Sequence, residues 1–465
     1  MKRWSSKAAT MAVLWCLLFL CSPGPASSAP SPQFFRAHLG QVFCVNPSGM
    51  GGCETSISAA VAKITQKSAI IFVAAGTYHD NVSINTGREP KELTLTIIGN
   101  AGAATTVIDG DAAGAIFTIG SKANVSLYGL TLTDGSGGPA EGGTGGGGIL
   151  ATGAMLSLYA CMVDGNEADI GAGIYASDGN LTIDNSSITN NLGQGNDAEG
   201  GGIYFTSKRS HRLIPYKLKI FDSTIDANSA TFGGGVFLAG WGLPLRLSAE
   251  ITDSVISNNV SLTTADASGQ GAGVWFSFAR LTITNTTISG NNASGVMGRG
   301  GGILPFLCDA TLNNVTIANN SAGGEGGGIG GVFVGVIGGG ADLRLLRFVI
   351  SNSIVAGNHA AQSPDCQSGT LPIVSHDYNF IGDVTGCTLR DKTAHNIYYG
   401  DPLLGPLMNN GGTTDTQALL PGSLALGTGN PGVPNGKDGR CAAADQIGTA
   451  RSKGDCDMGA YQLPD

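Results

Sequence analysis

The sequence predicts an all-β fold, a single-stranded right-handed parallel β-helix, and three observations carry that reading. First, the 465 residues include 74 glycines and only 13% charged residues. Gly is thus about twice its usual share of roughly 7%. No G-x-y period accompanies it, which excludes collagen. So much glycine favours positive-φ turns and close backbone packing over helix. Second, two short phrases recur and interleave. An I-x-x-N step ends at Asn166, Asn191, Asn228, Asn259, Asn291, Asn320 and Asn358, with Gly135 in the same place one repeat earlier. GGGI or a close variant ends at Ile149, Ile174, Ile203, Val236, Val274, Ile303 and Ile329. Third, the segments between them, such as LTIDNSSI and LTITNTTI, alternate apolar and polar residues, the signature of a strand with one buried face.

Self-similarity at this period means a solenoid, a propeller or an array. The intervals run from 25 to 38 residues. Such variation suits a coil whose loops swell between fixed strands, and each repeat holds too few strands for a propeller blade. One repeat cannot bury its own apolar face, so its neighbours must. The central aliphatics Ile188, Ile225, Ile256, Ile288 and Ile317 should then pile into one column. Three residues before each of these, and before Val355, stand Asn185, Asp222, Asp253, Asn285, Asn314 and Asn352. With the I-x-x-N series they form two Asn/Asp columns, read either as turn-holding ladders or as a ligand-binding row.

The elements follow in order. The start, MKRWSSK, then AATMAVLWCLLFLC and SPGPASSA, reads as a secretory signal over 1–28. Its apolar run is shorter than the roughly 20 residues a membrane span needs. Residues 34–68 form an N-terminal cap. Within it 55–67 (TSISAAVAKITQK) is amphipathic, with Ile57, Ala60, Val61 and Ile64 on one face. That helix would cover the open edges of the first coil. The β-helix is expected over 69–360 and a C-terminal region over 361–465. Eight cysteines remain after the signal. Three close pairs suit short-loop disulfides in an exported chain: Cys44 with Cys53, Cys366 with Cys387, and Cys441 with Cys456. Cys161 and Cys308 lie in separate repeats and suit buried thiols.

Formal net charge is −9, which argues against nucleic acid or an anionic membrane as partner. One stretch breaks the acidic pattern. SKRSHRLIPYKLK (207–219) gathers Lys208, Arg209 and Arg212 near Tyr216. It reads either as a glycan grip with an aromatic stacking face or as a solvated loop.

GTYHDNVSI, LTLTIIGN and TTVIDG resemble the opening coils of pectin-lyase-like β-helix proteins. The paired GGGI and I-x-x-N steps resemble the repeats of polymorphic outer membrane proteins. YNFIGDVTGC, DPLLGPLMNNGGTTDTQALLPGSLAL and CAAADQIGTARSKGDCDMGAY resemble the choice-of-anchor Q region of secreted bacterial β-helix proteins, departing from it at DQIGTARS and SLALG. The resemblance implies a secreted or bacterial cell-surface protein with no transmembrane span. Its expected partner is an extracellular polysaccharide or cell-surface glycan, and the expected state is a monomer.

Two functions are open. The first is a non-catalytic exported binding or structural module, with no cofactor and no metal. The second is a polysaccharide lyase or hydrolase, with calcium as cofactor in the lyase case. For the lyase, Asp222 and Asp253 hold equivalent repeat positions, with Arg280 and Arg299 on the following coils as base. For the hydrolase, the family resemblance implies clustered Asp residues with His and Arg on one sheet, and the chain has no Asp-Asp pair and no Gly-His-Gly. Placing those four residues in or out of one cleft discriminates the two functions.

Overall fold

The computed structural model describes residues 40–84, 92–207, 215–240, 245–264, 268–331 and 346–464. The signal-like start lies outside them, as do Lys208, Arg209 and Arg212. Gln41–Asp465 forms one compact unit.

Successive coils stack as parallel strands on several faces. The first face runs upward through Leu93–Gly99, Ala123–Tyr128, Met155–Tyr159, Asn180–Asp184, Tyr216–Phe221 and Leu247–Thr252, then into the long strands Ala279–Ser289 and Asp309–Ala318. A sharp corner follows, and a second face stacks Met162–Asp164, Ser187–Thr189, Thr224–Asp226 and Val255–Ser257 on the distal halves of the same long strands. The GGGI segments open the third face, from Val82–Ile84 to Ile303–Phe306, an 8-stranded parallel sheet. Short strands make a fourth, 7-stranded ladder just after the I-x-x-N step.

Alternation dictates which side chains turn inward. Ile188, Ile225, Ile256, Ile288 and Ile317 are Cα partners one after another and are fully buried. The column runs on to Val355 and Ile381. On the third face the glycines just before Ile149, Ile174, Ile203, Val236, Val274 and Ile303 admit the close stacking of coils. A Cβ on Gly273 would stand 2.4 Å from the Gly302 carbonyl oxygen of the next coil. A side chain there must drive two coils apart.

The I-x-x-N asparagines form a continuous buried ladder. Each Nδ2 donates to the next Oδ1, from Asn166 through Asn191, Asn228, Asn259, Asn291 and Asn320 to Asn358, at 2.8–3.0 Å. The same Oδ1 accepts the backbone N–H of the residue below. Gly135 N–H donates to Asn166 Oδ1 at the lower end, and the Asp365 carboxylate accepts from Asn358 at the upper end. The turn-holding role thus applies to this column.

The helix is Ile57–Ala62, shorter than 55–67, with Ser56 accepting the Ala59 N–H as N-cap. Ile57, Ala60 and Val61 are buried, and Ile64 packs on the same core. The coils outrun 69–360 at both ends. Gln41–Val45 already pairs with Ser68–Val73, and Ile373–His376 and Leu389–Lys392 add coils beyond Phe348–Ser351. These terminal strands stack by backbone register without the repeat phrases, which is why the sequence hides them.

All three expected disulfides are present. Cys44 is bonded to Cys53, and this bridge joins the first strand to the turn that leads into the capping helix. Cys366 is bonded to Cys387 in the last coils. Cys441 is bonded to Cys456 within the tail. Cys161 and Cys308 are buried thiols, as expected. Among the described residues no helix is long and apolar enough to cross a membrane.

Candidate functional site: an acidic corner closed by the C-terminal tail

The corner between the first two faces needs a left-handed residue in each coil. Asn185, Asp222, Asp253, Asn285, Asn314 and Asn352 all have φ between 46° and 53° in this corner. Asn and Asp tolerate that region, which accounts for the residue type. Their side chains point outward and do different work along the column.

In the upper coils they hold the tail, which returns down the flank. Asn352 Nδ2 donates to the Gly439 carbonyl and its Oδ1 accepts the Asn430 N–H, both at 2.9 Å. Asn314 Oδ1 accepts the Ala442 N–H, and Asn285 Nδ2 donates to the Ala444 carbonyl. The tail answers with Gln446, whose Oε1 accepts from Thr287 Oγ1 at 2.7 Å. Arg451 is the centre of this seam. One guanidinium nitrogen donates to Asn285 Oδ1 at 2.9 Å and to the Ala444 carbonyl at 2.6 Å, and the other donates to the Gly459 carbonyl at 3.0 Å. Burial pulls its pKa down to about 10, against the opposing pull of Asp445, Asp457 and Asp253.

Below Asn285 the column turns acidic, and the tail still reaches it, Thr414 Oγ1 donating to the Asp253 carbonyl at 3.2 Å. Asp222 and Asp253, with Asn285, line one wall of a cavity of about 580 Å³. The tail loops 411–413 and 444–448 line the other. Asp253 Oδ1 accepts from Asn285 Nδ2 at 3.0 Å. Burial raises the Asp253 pKa to about 6; Asn285 opposes this, while Asp222 and Asp445 add to it.

A carboxylate raised in the folded state is a stability cost at neutral pH. Stability tied to Asp253 is full below its ordinary value near 4 and is lost as pH rises through about 6. Asp253→Asn, which keeps the Oδ1 acceptor, should therefore raise the melting temperature at pH 7.5 and leave it unchanged at pH 4. A thermal-shift series across that range checks this.

Beside this corner the first face presents aromatic rings. Tyr128 and Tyr159, one strand apart, stack with ring centroids 4.6 Å apart, and Phe221 lies further along the column with the Lys219 ammonium 5.4 Å from its ring centre. All three rings are partly exposed.

Of the expected residues, Asp222 and Asp253 meet in one cleft. Arg280 and Arg299 do not join them. Arg280 lies outward on the first face, 3.9 Å from Asp309, and Arg299 lies on a different edge of the coil, paired with Glu325 at 2.8 Å. Tyr216 is also corrected. It is 4% exposed on an inward strand position and offers no stacking face. Sequence reasoning missed Arg451, Asp445 and the aromatic column. DQIGTAR was visible as a distinctive phrase, but nothing in it shows which coil it lands on.

No family model and no curated protein matches this chain. Solved structures do. The crystal structure of pectate lyase Pel9A aligns at 14% identity over 91% of this chain and 97% of that one, with a TM-score of 0.51. The fold is a pectin-lyase-like parallel β-helix. A pectin methylesterase from carrot aligns over 62% of the chain at 15% identity and 83% of its own, with a TM-score of 0.35. A pectin methylesterase from Aspergillus niger gives 0.23, at 13% identity over 81% and 86%. At such identity the pectin-lyase-like likeness speaks for the fold alone, and function must be argued from the site.

Proposed function

We propose that the protein is an exported, non-catalytic β-helix module that binds an extracellular glycan at the acidic corner and its aromatic margin. The observation that carries this reading is the fate of the arginines. Arg451, whose charge bears on Asp253, is spent on three structural hydrogen bonds and is only 5% exposed. Arg280 and Arg299 are engaged elsewhere. The corner thus offers carboxylate acceptors, backbone groups of two loops and nearby aromatic rings, which suit hydroxyl-rich sugars. Three disulfides, the signal-like start and the tail's likeness to choice-of-anchor regions support export.

The test pairs binding with turnover. A glycan array should yield a ligand whose affinity falls about tenfold or more when Asp222→Asn and Asp253→Asn are combined. The same glycan should emerge intact in mass after prolonged incubation. Turnover lost in the Asp253 variant would overturn the reading.

One observation favours the lyase or hydrolase reading. Asp253, with its pKa near 6 beside Asp222, could exchange protons near neutrality. Polygalacturonate with calcium, followed for unsaturated products and for new reducing ends, distinguishes that case.

A further inference from the structure

A second set of outward side chains stands near the N-terminal cap. His79 and Asp109 are register partners on the adjacent parallel strands Gly76–His79 and Thr106–Asp109. Tyr78 and Ile108, one residue back, are buried, so the imidazole and the carboxylate both face out. Asp111 follows in a left-handed turn with φ 51°. Its backbone N–H donates to Asp109 Oδ1 at 2.9 Å, which engages that oxygen and leaves Oδ2 on the side of His79. His79 Nδ1 lies 2.7 Å from Asp111 Oδ1 and 4.0 Å from Asp109 Oδ2, and the three ligating atoms all lie within 4.8 Å of one another.

The rest of this column shows what is particular here. It continues in register through Thr133, Asp164, Thr189, Asp226 and Ser257. Higher up, each carboxylate is taken by a hydroxyl and an amide of the next coil. Asp164 Oδ1 accepts from Thr189 at 2.6 Å and from Asn190 at 2.8 Å, and Asp226 Oδ1 accepts from Ser257 and Asn258 at the same distances. At the lower end Asp109 meets an imidazole on the coil below it, and a second carboxylate is added. The pattern changes from a neutral-donor rung to a nitrogen-and-two-carboxylate set.

We propose that His79 Nδ1, Asp109 Oδ2 and Asp111 Oδ1 bind a first-row divalent transition-metal ion, with water completing its shell. Two anionic oxygens supply charge for a dication, and the imidazole nitrogen selects Zn²⁺, Co²⁺ or Ni²⁺ over Ca²⁺ and Mg²⁺, which prefer all-oxygen shells. The side chains of His79 and Asp111 are 59% and 57% exposed, so the ion enters from solvent and keeps open positions. Such an ion would tie two adjacent coils beside the N-terminal cap. The site is independent of the acidic corner and of the glycan reading.

The test uses the untagged full-length mature protein, stripped with chelator and titrated with Zn²⁺ alone by calorimetry. The expected result is one ion per chain with a Kd of about micromolar, and a melting temperature that rises with the ion. Co²⁺ should give visible absorption bands of a bound ion. His79→Ala and Asp111→Asn should each weaken binding by about tenfold or more and remove the thermal shift. Their melting temperatures without metal report folding. His395→Ala, at another imidazole paired with an aspartate (Asp377, 2.7 Å away), should bind as the wild type does. No one-to-one binding by the wild type up to millimolar Zn²⁺, or equal affinity in His79→Ala, would overturn the assignment.

Discussion

Arg451→Met should release the tail and cost about 3–5 kcal/mol of folding free energy, the range for removing one partner of a buried charged network. The guanidinium satisfies Asn285 Oδ1 and the carbonyls of Ala444 and Gly459, and its charge offsets Asp445, Asp457 and Asp253 around it. Methionine fills the space and satisfies none of them. The loss should be local. Residues 401–464 are held to the upper coils by side-chain rungs, by the Gly459 N–H on the Asn352 carbonyl and by an apolar cluster of Ile354 and Phe380 with Leu419 and Met458, whereas the coils below Asp253 stack on one another. Urea denaturation should therefore show an early transition in the variant, and limited proteolysis should cut first in the tail. Glycan binding should fall with it, because loops 411–413 and 444–448 form half of the cavity. A variant with one unchanged cooperative transition and intact binding would mean that the seam is not held by Arg451.

Asn259→Ala should destabilise by about 3 kcal/mol or more, although it touches no candidate ligand. Asn259 is fully buried. Its Oδ1 accepts the Asn228 backbone N–H and Nδ2, both at 3.0 Å, and its Nδ2 donates to Asn291 Oδ1 and the Ile225 carbonyl. Alanine strands these groups in a dry interior, where each unmet donor or acceptor costs about 1–3 kcal/mol. Asn259→Asp should be worse, since it loses both donors and buries a charge. An exposed control, Asn292→Ala, should lie within about 0.5 kcal/mol of wild type. Chemical denaturation of the three variants side by side measures these differences. A loss below about 1 kcal/mol in Asn259→Ala would mean that water reaches this column.

These two residues also show where the sequence could be read and where it could not. Asn259 was legible because its reason is local. It closes the same turn in each coil from Asn166 to Asn358, so the repeat prints it at each of those intervals, and the inward isoleucines and stacking glycines are printed with it. The disulfides and the capping helix were legible for similar reasons of short range: Cys53, Cys387 and Cys456 each lie within 9 to 21 residues of their partners. Arg451 was not legible, because it meets Asn285 only through a long return of the chain. No periodicity registers that return. The same gap misplaced the arginines of the acidic corner. Repeat arithmetic sets Asp222 beside Asp253 correctly, since both occupy one rung position. It carries no information on which face Arg280 and Arg299 occupy, and none on the tail. Tyr216 failed for another reason. Read as part of a basic loop it looked exposed, yet it begins a strand and the alternation of that strand turns it inward.

The tail must be part of the flank, because it supplies one wall of the acidic corner. Amide hydrogen exchange on the unliganded protein tests this most directly. The N–H groups of Ala442, Gly459 and Ala460 donate to Asn314, to the Asn352 carbonyl and to Thr316 Oγ1. They should exchange as slowly as the coil amides of Ile256 and Ile288. If they exchange within seconds, as in a free chain, while the coil amides stay protected, then the tail is not docked and the two-walled cavity does not exist.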